Sequence, residues 1–220
     1  MDVAGIILCG GKSTRMGVPK STLPFGPEMM IERVLRLLGD VVQPLIVVAS
    51  PGQQLPPLPA RVQIARDRRK GRGPLQGICA GLETLGGQAE AAYVTGCDVP
   101  RLVPDVVRLL ISRLENHHIA VPMEGAYYHP LAAVYRTNVL PEVHNLLAAD
   151  RLRPAFLYDT VDTCRVPVGD LRIVDPDLGT LDNLNRPTDY FAAAERCGFE
   201  IPDTTRRELL AAVRRSETEE

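Results

Sequence analysis

Five short runs of apolar or β-branched residues, at 3–8, 45–49, 62–65, 91–95 and 119–121, recur through the first half of the chain. Their length and composition predict buried strands. Between them, residues 29–38, 75–85 and 103–114 carry apolar side chains at helical spacing. A strand, then a helix, then a parallel strand forces each crossover to return over the sheet, so both faces become covered. The expected class is therefore α/β with a doubly wound, mostly parallel sheet. A chain of 220 residues with 45% hydrophobic content supplies one such core.

The second half is less regular. Residues 129–135 predict a strand, 138–149 a helix, and 180–184 a short strand leading into a helix started by Pro187. A mixed sheet edge is expected there. Residues 203–215 can form one amphipathic helix, while 216–220 are too polar to bury anything and are expected to fray. The expected division is a single domain over 1–201 followed by a C-terminal helix and frayed tail over 202–220.

Charge narrows the function. Twenty-five basic against 27 acidic residues leave −2, so no global field draws the chain to nucleic acid or an anionic membrane. Any anionic ligand must be gripped locally. The cysteines, at 9, 79, 97, 164 and 197, are scattered without a C-x-x-C pair, which fits a reducing cytoplasm. Histidines 117, 118, 129 and 144 lack paired ligand spacing with cysteine or carboxylate, so zinc is not expected. The first strand has no basic flank or long apolar extension, and neither export nor anchoring is expected.

A local anion grip follows the first strand. Leu8-Cys9-Gly10-Gly11-Lys12-Ser13-Thr14-Arg15-Met16-Gly17-Val18-Pro19-Lys20 places three glycines and three cations within thirteen residues. Glycines let backbone N–H groups approach phosphate oxygens, and Lys12, Arg15 and Lys20 can neutralise them. Ligands of open α/β sheets sit at this carboxyl end of the strands. Gly11-Lys12-Ser13 imitates a Walker A ending, but the required earlier glycine would fall on Ile6, and no G-x-G-x-x-G is formed. Further on, the strand at 91–95 delivers Asp98 ahead of Pro100. One such carboxylate suits magnesium, which completes its shell with water and phosphate oxygens. Alone, Asp98 serves equally well as a helix cap.

The loop Leu8-Cys9-Gly10-Gly11-Lys12-Ser13-x-Arg15-Met16-Gly17-x-x-Lys20 resembles the signature of the molybdenum cofactor guanylyltransferases. Cysteine stands at residue 9 where alanine is usual, and Pro19 where aspartate often precedes the lysine. Gly10-Gly11 leans toward guanine, the related cytidylyltransferases having alanine in the first place. The resemblance continues in Cys97-Asp98-Val99-Pro100, in Asp67 with Gly73-Pro74-Leu75-Gln76-Gly77, in His129-Pro130-Leu131, and in Asn183-Leu184-Asn185-Arg186-Pro187-Thr188-Asp189.

It implies a three-layer α/β/α, Rossmann-like nucleotide-diphospho-sugar transferase fold. It further implies a magnesium-dependent nucleotidyltransferase moving GMP from GTP to the terminal phosphate of molybdopterin or molybdenum cofactor, with pyrophosphate released. Lys20, Arg15 and Asp98 are then catalytic, with Asp98 holding Mg2+. Leu8, Cys9, Gly10, Gly11, Lys20, Asp67, Gly73, Gly77 and Asp98 bind the nucleotide. His129, Asn183 and Asn185 face the acceptor, Asn185 also being placed to cap the Pro187 helix. Partners would be transient contacts with cofactor-synthesis or molybdoenzyme-maturation proteins. The alternatives are a cytidylyl- or sugar-1-phosphate nucleotidyltransferase on the same fold, and a catalytically silent nucleotide-binding module.

Overall fold

The computed structural model describes residues 1–10, 16–67 and 71–218, with side chains through residue 213. Gly11, Lys12 and Arg15 lie outside the described residues, as does the end of the expected frayed tail. The chain opens with β1 (Val3–Leu8), whose six residues are all buried. A small antiparallel pair, β2 (Pro24–Phe25) and β3 (Glu28–Met29), then feeds α1 (Met30–Gly39). Next come β4 (Leu45–Ala49), β5 (Val62–Arg66), α2 (Gly73–Leu85), β6 (Ala91–Gly96), α3 (Pro104–Leu114) and β7 (Ile119–Glu124). The second half adds β8 (Tyr127–Tyr128), β9 (Ala132–Arg136), α4 (Leu140–Ala148), α5 (Ala155–Tyr158) and β10 (Thr163–Pro167). It ends with α6 (Val168–Leu171), α7 (Pro187–Arg196) and α8 (Asp203–Thr218).

The main sheet runs β10-β7-β9-β6-β1-β4-β5, with β8 on β7. The pairs β1–β4, β1–β6, β4–β5 and β7–β10 are parallel, and β9 alone reverses within that path, between β6 and β7. Side chains alternate across it with period two. Val3, Ile7, Leu45 and Val47 join α1 and α3 on one face. Ala4, Ile6, Leu8, Ile46 and Val48 join α2, α4 and α5 on the other. Each fully buried leucine, isoleucine or valine in these layers contributes roughly 1.5–3 kcal/mol. Two glycines let the helices come this close. A Cβ at Gly5 would meet Leu38 at 2.7 Å, and one at Gly81 would meet Ile6 at 2.6 Å.

The sheet edge is mixed, as its irregular sequence predicted. Residues 180–184, expected as a strand, instead begin in a 3-10 turn over Gly179–Leu181. The buried Asp175 carboxylate accepts the N–H groups of Gly179 and Thr180 at 3.0 and 2.9 Å, and Thr180 Oγ1 accepts Val103 N–H. Such side-chain bonds compete with a strand ladder and win here. The strand from 129 begins only at Ala132, and β10 was not anticipated.

The C-terminal helix packs on the body of the chain. Leu209 is fully buried with Met16, Leu23, Phe25, Met30, Leu184 and Tyr190 in a third cluster. The Tyr190 hydroxyl donates to Pro24 O, and burial pushes its pKa up to about 12. No helix among the described residues is long and apolar enough to cross a membrane.

Candidate active site

The parallel strands β1, β4, β5 and β6 share one carboxyl edge, fixed by the registers Leu8↔Val48, Leu8↔Gly96 and Val48↔Ala65. Whatever leaves the ends of these strands converges on a common crevice. Four of the expected residues meet there directly. Lys20 Nζ lies 2.7 Å from Asp98 Oδ2 and donates to Asn185 Oδ1 at 2.8 Å. Asn183 Nδ2 donates to Asp98 Oδ1 at 3.1 Å, and Asn185 Nδ2 to Asn183 O at 3.2 Å. Both carboxylate oxygens are thus oriented by a neighbour, and each retains acceptor capacity toward the crevice.

Local sequence explains how these side chains arrive. Pro19, extended at φ −62° and ψ 122°, precedes the 3-10 turn Lys20–Thr22, and its carbonyl accepts Thr22 Oγ1–H at 3.1 Å. Proline presets that backbone, so its presence ahead of Lys20 is compatible with delivering the lysine. Asp98 is two residues beyond β6. Its carbonyl accepts Leu184 N–H at 3.0 Å, which locks the Asn183–Asn185 segment against the strand end. Asn185 does not cap α7. Asp189 Oδ2 takes the N–H groups of Asn185 and Arg186 at 3.1 and 2.8 Å, which leaves the Asn185 amide for Lys20.

A second group lies across the ends of β1, β4 and β5. A Cβ at Gly10 would sit 2.9 Å from Ser50 Oγ and 3.8 Å from Asp67 Oδ2, so only glycine leaves this gap. Asp67 N–H is held by Ala49 O at 2.9 Å. Its Oδ1 is buried and has no hydrogen-bond partner among the described residues, and burial raises its pKa above the usual 3.8. A buried, unpaired acceptor is costly, and a ligand with N–H groups would relieve it. Gln53, which the sequence did not single out, braces this wall. Its amide donates to Cys9 O at 2.9 Å and accepts Ser50 N–H at 3.0 Å, while Arg66 Nη1 donates to Gln53 O at 2.6 Å. No spacing rule marks it, since it lies in the loop after β4.

Leu8 and Gly77 are in contact, a Cβ at 77 falling 3.1 Å from Leu8 Cδ1. This brings the first turns of α2 against β1. Gly73 adopts φ +73°, which a side chain would strain, and Arg72 at the helix N-cap makes no capping bond. The neighbouring thiols Cys9 and Cys97 are buried. Their mutual hydrogen bond, burial and the charges of Cys97 and Asp98 hold the Cys9 thiol well above its ordinary pKa, so it is no nucleophile.

His129 stands three residues before Ala132, which pairs with Thr95 near the carboxyl end of β6. It therefore shares the crevice edge, though it makes no direct bond to the Lys20–Asp98 group. Burial lowers its pKa below 6.5 against the opposing charge of Glu124, and its Nε2 is buried without a partner among the described residues. Its ring meets Tyr127 edge-on at 4.9 Å.

Comparison with known proteins identifies the family. The family model described as "MobA-like NTP transferase domain" matches residues 5–162. A protein of Mycobacterium ulcerans named "Probable molybdenum cofactor guanylyltransferase" is 37% identical over 194 residues, covering 86% of this chain and 92% of its own. One of the same name from Mycobacterium tuberculosis is 36% identical over 180 residues, covering 78% and 87%. Among solved structures, molybdopterin-guanine dinucleotide biosynthesis protein A from Archaeoglobus fulgidus superposes with a TM-score of 0.71 at 23% identity, over 90% of this chain and 99% of that one. The 2-C-methyl-D-erythritol 4-phosphate cytidylyltransferase of Thermus thermophilus shares the fold at a TM-score of 0.64 and 17% identity, over 90% and 100%. With most of its length matched by the family model and more than a third of the aligned residues identical in these relatives, the chain belongs to the MobA-like NTP transferase domain family.

Proposed function

We propose that this chain transfers GMP from GTP to the terminal phosphate of molybdopterin or molybdenum cofactor and releases pyrophosphate. The observation that carries the reading is the Lys20–Asp98 pair, oriented by Asn183 and Asn185 at the strand ends. The names of the mycobacterial relatives support the substrates.

A terminal phosphate oxygen of the acceptor attacks the α-phosphorus, and the bond from that phosphorus to the bridging β-oxygen breaks. The acceptor phosphate is largely ionised near pH 7, its second pKa being about 6, so no general base is needed. The chain's task is positioning and charge stabilisation. Lys20, mounted on a short turn and held by Asp98 and Asn185, supplies a point charge for the phosphates. Arg15, Gly10 and Gly11 complete the phosphate grip in this reading. Asn183 and Asn185 hold the catalytic carboxylate and lysine and offer amides to the acceptor, with His129 at the same edge of the sheet, its imidazole biased toward the neutral form by burial.

Asp98 suits a divalent ion such as Mg2+, because one partly exposed carboxylate with spare lone pairs matches a metal that keeps water and phosphate oxygens as its other ligands. When bound, that ion would neutralise developing phosphate charge. Asp67 favours guanine. Its Oδ1, without a partner among the described residues and beside the Gly10 gap, calls for N–H donors, and guanine presents two adjacent ones on its Watson–Crick edge. None of the five cysteines forms a disulfide, which fits a cytoplasmic setting.

The test is incubation with molybdopterin, Mg2+ and each of GTP, CTP, ATP and UTP, followed by mass analysis of the product. A molybdopterin–guanine dinucleotide formed only with GTP is expected. Product with CTP instead would transfer the chain to the cytidylyl reading, and GTP binding without product would make it a silent binding module.

A further inference from the structure

On the flank of the sheet opposite α1 and α3, one turn and more below the nucleotide crevice, two helices bring three metal-ligating side chains together. Cys79 and Glu83 are four residues apart on α2 and so share a face. His144 reaches them from α4, its Nε2 lying 2.9 Å from Glu83 Oε1. The cysteine sulfur, a glutamate oxygen and an imidazole nitrogen all lie within 4.8 Å of one another.

We propose that Cys79, Glu83 and His144 form a transition-metal site, suited to Zn2+ and distinct from the ion at Asp98. In a tetrahedral zinc site the donor atoms stand about 3.5 Å apart, given metal–ligand bonds of about 2.0–2.3 Å. Closing the triangle asks for shifts of about 1 Å. Glu83 and His144 can supply them, their side chains being 26% and 50% exposed, while Cys79 is fixed in the core at 2%.

The donor set excludes Mg2+ and Ca2+, which take oxygen ligands, and selects a borderline-soft ion. Binding displaces the thiol proton to solvent and exchanges the Glu83–His144 contact for two metal bonds. The three protein ligands leave a fourth position for water. The ion would tie α4 to α2, the helix whose first turns carry Gly73 and Gly77. This assignment does not depend on the nucleotide chemistry.

The experiment is Co2+ titration of the full, metal-free chain in excess Mg2+, followed by Zn2+ displacement. One Co2+ per chain is expected, with thiolate-to-cobalt charge-transfer absorption in the near ultraviolet and a raised melting temperature. Cys79→Ser should abolish that band. His144→Ala, at a half-exposed position, should keep the fold by circular dichroism and weaken binding at least about tenfold, since loss of even an outer-shell partner costs ~10- to 100-fold. Absence of the band, its persistence in a folded Cys79→Ser protein, or unchanged affinity in His144→Ala would overturn the site. Should Cys79→Ser not fold, His144→Ala decides alone.

Discussion

Gly96 and Asp98 approach so closely that a Cβ on residue 96 would lie 2.3 Å from Asp98 Oδ1. The carboxylate folds back over the end of its own strand, into space that any side chain at 96 would fill. Gly96→Ala should therefore rotate Asp98 away from Lys20 and Asn183. A misplacement of about 1 Å at a catalytic group costs on the order of 10²-fold in rate. Turnover should fall by that amount with a smaller effect on melting temperature, because the three atoms nearest the added methyl belong to the Asp98 side chain and, at 3.6 Å, the Asn183 amide. Steady-state kinetics beside thermal melts check this. Unchanged turnover would mean that the carboxylate position is irrelevant to the chemistry.

Lys20 is the next point of failure. Its ammonium serves Asp98 Oδ2 and Asn185 Oδ1 at once, from distances of 2.7 and 2.8 Å. Lys20→Ala should lower kcat on the order of 10²-fold or more, as loss of one preorganised charge contact does elsewhere. Lys20→Arg should not restore it, since a planar guanidinium cannot occupy the point where the two oxygens converge. Single-turnover measurements at saturating GTP separate this from weakened binding. An arginine variant with full activity would show that charge alone suffices.

How far the sequence disclosed this site follows from what its periodicities encode. β1 and β4 were legible because burial on both faces leaves only apolar residues, and Lys20 and Asp98 because a cation-rich bend and a strand-end carboxylate are local signals. The strand Thr163–Pro167 was not legible. On an outer edge of the sheet only Thr163 and Val166 are buried, with the exposed Arg165 between them, so the strand shows no apolar run. The place of Asn185 before Pro187 suits a helix cap as well as an acceptor contact, yet Asp189 performs the capping role from within the first turn. Gln53 and the Cys79–Glu83–His144 group depend on loop shape and on helix contact across 61 residues, which no spacing rule reports.

Asp67 gives a pH-dependent prediction. Burial raises its pKa above 3.8 in the folded chain, so its contribution to stability is full below the unfolded pKa and is lost as pH rises through the folded one. At neutral pH the ionised carboxylate, with one oxygen unpaired among the described residues, is a cost to the free protein. Asp67→Asn should then raise the melting temperature of the nucleotide-free chain at pH 7 while weakening GTP binding, because an amide presents a donor where guanine also presents donors. In the parent protein GTP affinity should fall on acidification with a midpoint above the ordinary aspartate value. Fluorescence titration from neutral to mildly acidic pH reads both proteins. An asparagine variant that binds GTP as well as the parent would remove Asp67 from base recognition.

Helix α2 couples packing to the crevice through two glycines one turn apart, and alanine at each should separate the two roles. At Gly81 the new methyl would lie 2.6 Å from Ile6 Cγ2, deep between helix and sheet. Overpacking of this kind costs about 1–3 kcal/mol, against a helix-propensity gain of about 1 kcal/mol. Gly81→Ala should lose stability on balance, by a few degrees in melting temperature, with KM for GTP unchanged. At Gly77 the closest atom is Leu8 Cδ1 at 3.1 Å, where a shift of a few tenths of an ångström suffices. Propensity then offsets the contact, and stability should stay near the parent value. Leu8, however, ends β1 next to the Cys9–Gly10 bend, so its displacement should raise KM for GTP. Equal loss of stability with unchanged KM in both variants would show that the approach of α2 to β1 serves packing alone.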